Sequence, residues 1–457
     1  MTALSKALSA HLYEAAHTAL TEADILQIRK LLLDFFAAMF AGYKQNHAFA
    51  DSVLEIVKEQ GGKAEASVFL EKEKYPARSA GFLNSLYGHG AELDDGNKRA
   101  MGHVGVHVIP AVLALAEAEG KTQAEAMSAI VAGYEAYIRI SASAQPGMVN
   151  RSFHSTGMAG APACAAACAA LLGLDAAGIE SAMSFACTMS SGLLTYSESQ
   201  QMIKPINPAK AAETGIFAAR LAAKGLKGPE NCLEGPHGWY RAVTEQYDAD
   251  VLLEKAPHLL IHDCYFKLYP SCRHTHCGIE AAVLLHQRNQ ARVQEIEQVN
   301  VYIYPNAIKL AGQILYPQDA DETKFSIHYT LACGLLFGEY GVDYMNPPKL
   351  DETVRAMIGK INLIPDESME NREKCIRGTR AEIIFADGTT DQETVLVPRG
   401  DPEKPLTTED IRQKLRQCAA GLLTESRIAA LIAYLDAFGS DAALDPEILF
   451  AERSEAV

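Results

Sequence analysis

The sequence predicts a mainly α fold: a large all-helical domain with an inserted, smaller α+β lid domain. Three observations lead there. At 457 residues the chain exceeds the size at which a single hydrophobic core stops growing, so two domains are expected. Residues 1 to about 265 read as one helical pattern after another. Strand alternation sets in after about residue 270, and helical patterns resume from Thr407. The expected domains are 1–268 (helical), 269–398 (α+β lid) and 399–457 (return to the helical domain).

In the first helical stretch, Thr21-Glu-Ala-Asp24 resembles a capping box, and Ile25, Ile28, Leu32, Phe35, Phe36 and Met39 repeat on one face up to a C-cap at Gly42. Further helices are expected from Ala111 to Gly120, from Gln123 to about Ile140, and from Gly157 to Leu172 with a stop at Gly173. The last of these is Ala-rich, with Cys164 and Cys168 among its small residues. Small side chains let helices approach closely, so it reads as a central helix of the bundle. In the second region, Val299–Tyr304 alternates like a strand and stops at Pro305. Residues 380–386 and 389–397 form a hairpin around Asp387-Gly388. Helices flank the strands at Gly278–Gln287 and Ile327–Phe337. Pro398 to Pro405 reads as a linker, followed by helix from Thr407 to about Phe438.

Hydrophobic residues make up 48% of the chain, enough for a substantial core. With 57 acidic against 41 basic residues the formal net charge is -16. That argues against nucleic acid as a partner, but not against an anionic substrate, because local basic clusters set the field inside a cleft. The first thirty residues lack an apolar h-region, so no secretory signal is expected. The apolar stretch Ala159–Leu172 is too short to cross a bilayer. Ten cysteines read as reduced thiols rather than a disulfide framework. A cytoplasmic location is the expectation.

No dinucleotide fingerprint, Walker loop, HExxH or paired CxxC is found in the sequence. Four polar patches are. The first runs from His89 through Glu92, Asp94, Asp95 and Gly96 to His103 and His107. The second is Arg151-Ser-Phe-His154-Ser-Thr156, opening the Ala-rich helix, where a helix N-terminus favours anions. The third is Met202-Ile-Lys204-Pro205. The fourth, Phe266-Lys267 to Arg273-His274-Thr-His276, falls at the expected domain junction, a preferred place for a ligand cleft. Arg273 binds carboxylates through a bidentate fork. His103 and His107, four apart, with Asp94 or Asp95, are the alternative metal-ligand set, against which Gly102, Gly105 and Pro110 weigh. Cys272 beside Arg273 and His274 reads as a packed thiol or, less simply, a nucleophile.

The order of these patches resembles the MmgE/PrpD family from near residue 8 to about 445. The matching segments include HGAELDD at 89–95, His103–Pro110, GYEAYIRI at 133–140, FHSTG at 153–157 and IKPINPAKAAETG at 203–215. LEGPHGW at 233–239, KLYPSCRHTH at 267–276, TKFSIHYTLACGLLFG at 323–338 and RGDPEKPLT at 399–407 continue the series. The resemblance implies a helical bundle with a smaller lid, a homodimer, no cofactor and no metal. It implies a small di- or tricarboxylate substrate, as for 2-methylcitrate dehydratase, cis-aconitate decarboxylase and iminodisuccinate epimerase. By motif it places Glu92, His103, His154, Lys204 and Lys267 in the catalytic site. Arg273, His274, His276 and Gly96 are the expected substrate contacts. Glu92 stands where the decarboxylase and methylcitrate branches carry Asp, and Gly96 where they carry Thr.

The expected chemistry is proton removal next to a carboxylate, with His103 or His154 as base and Lys204, Lys267 and Arg273 stabilising the enolate-like charge. Dehydratase-type elimination ranks first, epimerisation second and decarboxylation third. A metal-dependent hydrolase and a non-catalytic dicarboxylate binder are the rivals.

Overall fold

The computed structural model describes residues 3–195, 203–371 and 375–450. Helix accounts for 58% and strand for 11%, which makes the protein mainly α. It divides into two compact units. One comprises Met1–Gly90, Asp94–Tyr265 and Thr407–Val457; the other comprises Ala91–Leu93 and Phe266–Leu406. None of the ten cysteines, all among the described residues, is joined in a disulfide. Among the described residues no helix is long and apolar enough to cross a membrane.

The larger unit is built from α1 (Leu4–His17), α2 (Glu22–Gln60), α3 (Ala77–His89), α4 (Gly105–Glu119), α5 (Gln123–Ser143), α6 (Gly160–Leu171), α7 (Ala176–Met189) and α8 (Ile206–Ala223). Helices at Thr408–Ala419 and Glu425–Ala437 complete it. Thr21 does form a capping box with Asp24, but α2 does not end at Gly42. A Cβ at Gly42 would lie 1.8 Å from the Tyr87 carbonyl oxygen, so this glycine lets α3 pack against α2. Helix α4 starts six residues earlier than expected and contains Pro110. The pattern there was masked because the helix is apolar on every side, so it lacks the stripe by which a start is read. The Ala-rich segment is broken at Ala159 into a four-residue turn of helix, Ser155–Met158, and α6. Every residue of α6 but Ala170 is buried. It is the central helix: a Cβ at Gly215 of α8 would lie 2.2 Å from Cys164 Cβ, and one at Gly133 of α5 would lie 3.0 Å from Ala167 Cβ.

The smaller unit holds α9 (His276–Asn289), β1 (Ile296–Ile303), α10 (Ile327–Phe337), β2 (Ile361–Pro365), β3 (Thr379–Phe385) and β4 (Thr390–Val395). The sheet order is β4-β3-β1-β2, with β1 and β2 parallel and the other pairs antiparallel. Strand β3 alternates buried and half-buried along its whole length, as a sheet with one covered face requires. Val299, Val301, Ile303, Ala381 and Ile383 pack with Ile279, Ala282, Leu331 and Leu335 into one core. The hairpin turns at Gly388 with φ +80°. The stretch 398–405 is not a loose linker. The Glu280 carboxylate accepts the Arg399 N–H at 2.7 Å and Lys404 Nζ at 2.5 Å, and the Phe266 N–H donates to the Gly400 carbonyl at 2.8 Å.

Candidate functional site

In the larger unit a buried polar cluster forms where α3 ends. His89, the last residue of α3, has Nδ1 3.0 and 3.1 Å from the two Asp94 oxygens. The same carboxylate lies 3.0 Å from His103 Nδ1, which is also 2.8 Å from the Asp95 carbonyl. The His103 N–H donates to the Thr156 hydroxyl at 3.2 Å. The His89 ring stands 4.8 Å from that of His103 and 6.2 Å from that of His154, centroid to centroid. His154 precedes the short helix Ser155–Met158, and its Nδ1 lies 3.0 Å from the Asn207 amide nitrogen at the start of α8. All four of His89, Asp94, His103 and His154 are at most 8% exposed. Burial alone pushes the Asp94 carboxyl up, but the imidazoles of His103 and His89 outweigh it and hold the group well below the usual carboxylate range.

Asp95 points elsewhere. Its oxygens accept the Gly105 N–H, at the start of α4, and the Tyr134 hydroxyl, each at 2.8 Å. Burial, then the Asp34 charge, push its carboxyl up to about 7 despite those bonds. Lys204 sits half-buried in the turn before α8; Met202 of the same patch lies outside the described residues. Gly96 pairs with Tyr265 in a short antiparallel ladder. A Cβ at Gly96 would lie 2.4 Å from the Tyr265 hydroxyl and 2.9 Å from the Gly102 carbonyl oxygen, so no threonine fits there unless Tyr265 moves.

The alternative metal set does not assemble as the spacing suggested. His103 lies before α4 and His107 within it, so the two do not share a helix face. His107 is wholly buried, with Nδ1 3.4 Å from Cys164 Sγ, and Nε2 has no hydrogen-bond partner among the described residues. Burial drives its imidazole down to about 3, leaving it neutral. The group whose donor atoms lie within 4.8 Å of one another is instead His89, Asp94 and His103, a donor set that fits a small cation.

In the smaller unit Lys267 and Glu92 form a second cluster. Lys267 Nζ donates to the Glu92 carbonyl at 2.8 Å and stands 3.4 Å from Oε2, with side-chain exposures of 1% and 4%. Glu92 adopts φ +54°, a left-handed conformation that costs a non-glycine residue roughly 1–2 kcal/mol. Arg273, expected to hold a substrate carboxylate, is paired with Asp401. His274 Nδ1 bonds the Tyr304 hydroxyl. Desolvation, then Arg377, Arg273 and Lys267, push its imidazole down to about 3. His276 opens α9 fully buried, with Nε2 3.3 Å from the Ser271 carbonyl and its ring edge-on to Tyr269.

The sequence brings His103 and His154 forward without their hydrogen-bonding neighbours. His89 reads there only as a member of a polar run and Asp94 only as an alternative metal ligand beside His107, although a His and an Asp five apart across a helix end is a usable signal. Asn207 was overlooked beside Lys204. Asp401 is 128 residues from Arg273, and no local pattern announces that pair.

Comparison with known proteins gives a consistent picture. The MmgE/PrpD N-terminal domain matches residues 6–252 and the MmgE/PrpD C-terminal domain matches residues 269–437. The chain is 27% identical to the cis-aconitate decarboxylase-like protein oryM of Aspergillus oryzae, over 89% of this chain and 88% of that protein. It is 27% identical to a cis-aconitate decarboxylase of Aspergillus terreus, over 77% and 76% respectively. The human cis-aconitate decarboxylase is 25% identical, over 90% and 87%.

Proposed function

Because the chain belongs to the MmgE/PrpD family, we propose that it is a lyase performing carbon-acid chemistry on a small di- or tricarboxylate, with no organic cofactor. The observation that carries this is the buried cluster of His103 and His154 around His89 and the ionised Asp94. Imidazoles exchange protons near neutral pH, and a carboxylate behind one raises its capacity to accept a proton.

Catalytic roles fall to Glu92, His103, His154, Lys204 and Lys267. One imidazole takes the proton from the carbon next to a carboxylate. The bonding pair moves into a new C=C bond, and a β-hydroxyl departs with a proton as water. Lys204 and Lys267 offset the charge that builds on the substrate carboxylate, and Arg273, His274, His276 and Gly96 shape its binding. The Asp401 partner of Arg273 makes that guanidinium a shared, pre-oriented donor rather than a dedicated anchor. A homodimer is the expected assembly.

Decarboxylation is the second reading, favoured by the names of the relatives. There a C–C bond breaks, carbon dioxide leaves, and the electron pair is quenched by a proton from the same cluster. Epimerisation would instead return the proton to the opposite face of the carbon. A metal-dependent hydrolase rests on the His89–Asp94–His103 donor set. The test is product analysis with citrate, methylcitrate, cis-aconitate, tartrate and iminodisuccinate, before and after chelation. Water loss or addition that survives chelation is expected, and the His154→Ala variant should lack it. Activity that disappears with a stoichiometric metal and returns with it would replace this function by the metal reading.

A further inference from the structure

The two catalytic imidazoles are held by opposite kinds of partner at Nδ1. His103 Nδ1 faces the Asp94 carboxylate at 3.0 Å and the Asp95 carbonyl at 2.8 Å. Both are acceptors, so the proton of a neutral ring sits on Nδ1 and Nε2 carries the lone pair. His154 Nδ1 meets the Asn207 amide nitrogen at 3.0 Å. That nitrogen also reaches the Leu193 carbonyl oxygen at 3.5 Å. With the amide turned end for end, its oxygen would confront the Leu193 oxygen, acceptor against acceptor. The amide therefore donates, Nδ1 of His154 accepts, and the single ring proton sits on Nε2.

We propose that His103 is the imidazole that moves protons, and that His154 is a neutral hydrogen-bond donor that stabilises negative charge on a substrate oxygen. Asp94 and Asn207 are the positioning residues that impose this division. The inference rests on the function proposed above and assigns its roles. In the forward step His103 Nε2 takes the proton from carbon, and the C–H pair becomes the C=C bond. The imidazolium forms 3.0 Å from an Asp94 oxygen, which accepts its Nδ1–H. His103 then delivers that proton to the departing oxygen, giving water and restoring the starting tautomer. His154 keeps its Nε2 proton throughout. Giving it up would leave an imidazolate, and Asn207, as a donor to Nδ1, disfavours the imidazolium as well. His89 shares the Asp94 carboxylate through its own Nδ1, so the carboxylate is held from both sides and cannot rotate away from His103.

Tautomers can be read without any substrate, so this division can fail while the enzyme is active, and can hold if the substrate class is wrong. The experiment is long-range proton–nitrogen NMR of the full-length protein labelled with 15N in histidine. The His103 and His154 rings are assigned by signal loss in His103→Gln and His154→Gln. The expected spectrum has His103 protonated at Nδ1 and His154 protonated at Nε2. The Asn207→Asp variant should move the His154 proton onto Nδ1 and leave His103 unchanged. The same tautomer on both rings, or a His154 pattern unaltered by Asn207→Asp, would overturn the inference.

Discussion

Replacing Lys267 by methionine should destabilise the smaller unit far more than an ordinary lysine substitution. The ammonium is 1% exposed and stands 3.4 Å from a Glu92 carboxylate that is 4% exposed. At an effective dielectric constant of about 20, that separation corresponds to roughly 5 kcal/mol of attraction before desolvation is subtracted. Removing the ammonium takes a buried cationic partner away from the Glu92 carboxylate, and breaking a buried pair of this kind costs about 3–5 kcal/mol. The 2.8 Å bond to the Glu92 carbonyl is lost too, and with it a restraint on the left-handed backbone at that residue. Glu92→Gln should cost less, about 1–3 kcal/mol, because the carbonyl bond survives. The double variant should recover part of the loss, with a coupling of about 1–3 kcal/mol. The single tryptophan, Trp239, belongs to the larger unit, so its fluorescence is the wrong probe. Hydrogen exchange of the amides in β1, β3 and β4 reports the smaller unit directly. If Lys267→Met lowers protection by less than about 1 kcal/mol, or the double variant is simply additive, the buried pair is not what holds Glu92.

Three further outcomes follow from particular contacts. Asp95 has a folded-state pKa raised to about 7 against an ordinary value of about 3.9. Its contribution is fully present below pH 4 and is lost as pH rises through 7. Asp95→Asn should therefore flatten the fall in urea midpoint between pH 4 and 8, and an unchanged pH profile would refute the raised pKa. Gly215→Ala puts a methyl 2.2 Å from Cys164 Cβ and should cost about 1–3 kcal/mol despite the better helix propensity of Ala. A raised melting temperature would show that α6 and α8 are not in close contact. His154→Ala should lower kcat by about 10²–10³-fold, as loss of a charge-stabilising donor does. His154→Gln, which keeps an N–H, should recover part of that, whereas His103→Gln should recover nothing. Equal effects of both glutamines on kcat would contradict the separate roles.

Much of the fold was legible because periodicity survives wherever an element has one wet face. The hairpin around Asp387-Gly388 and the helix Thr408–Ala419 fall where alternation and helical spacing put them. Legibility failed where burial is complete on all sides. Helix α4 has no polar stripe to mark its start, and Gly42 reads as a stop although it is a point of close helix contact. The polar clusters behaved similarly. Residues five apart in sequence, such as His89 and Asp94, are brought together by a local turn, and their types alone suggest acid–base work. The Arg273–Asp401 pair and the Asn207 amide behind His154 depend on tertiary packing, and spacing carries no trace of them.

The most direct test of the central claim is incubation of the protein in deuterated water with the five polycarboxylates, followed by carbon-resolved NMR. Carbon-acid chemistry predicts an unsaturated product from at least one of the saturated acids and, in the reverse addition of water to cis-aconitate, deuterium at the carbon next to a carboxylate, with loss of both in His103→Gln. Water addition that leaves no solvent deuterium at that carbon, or exchange that persists in His103→Gln, would contradict it.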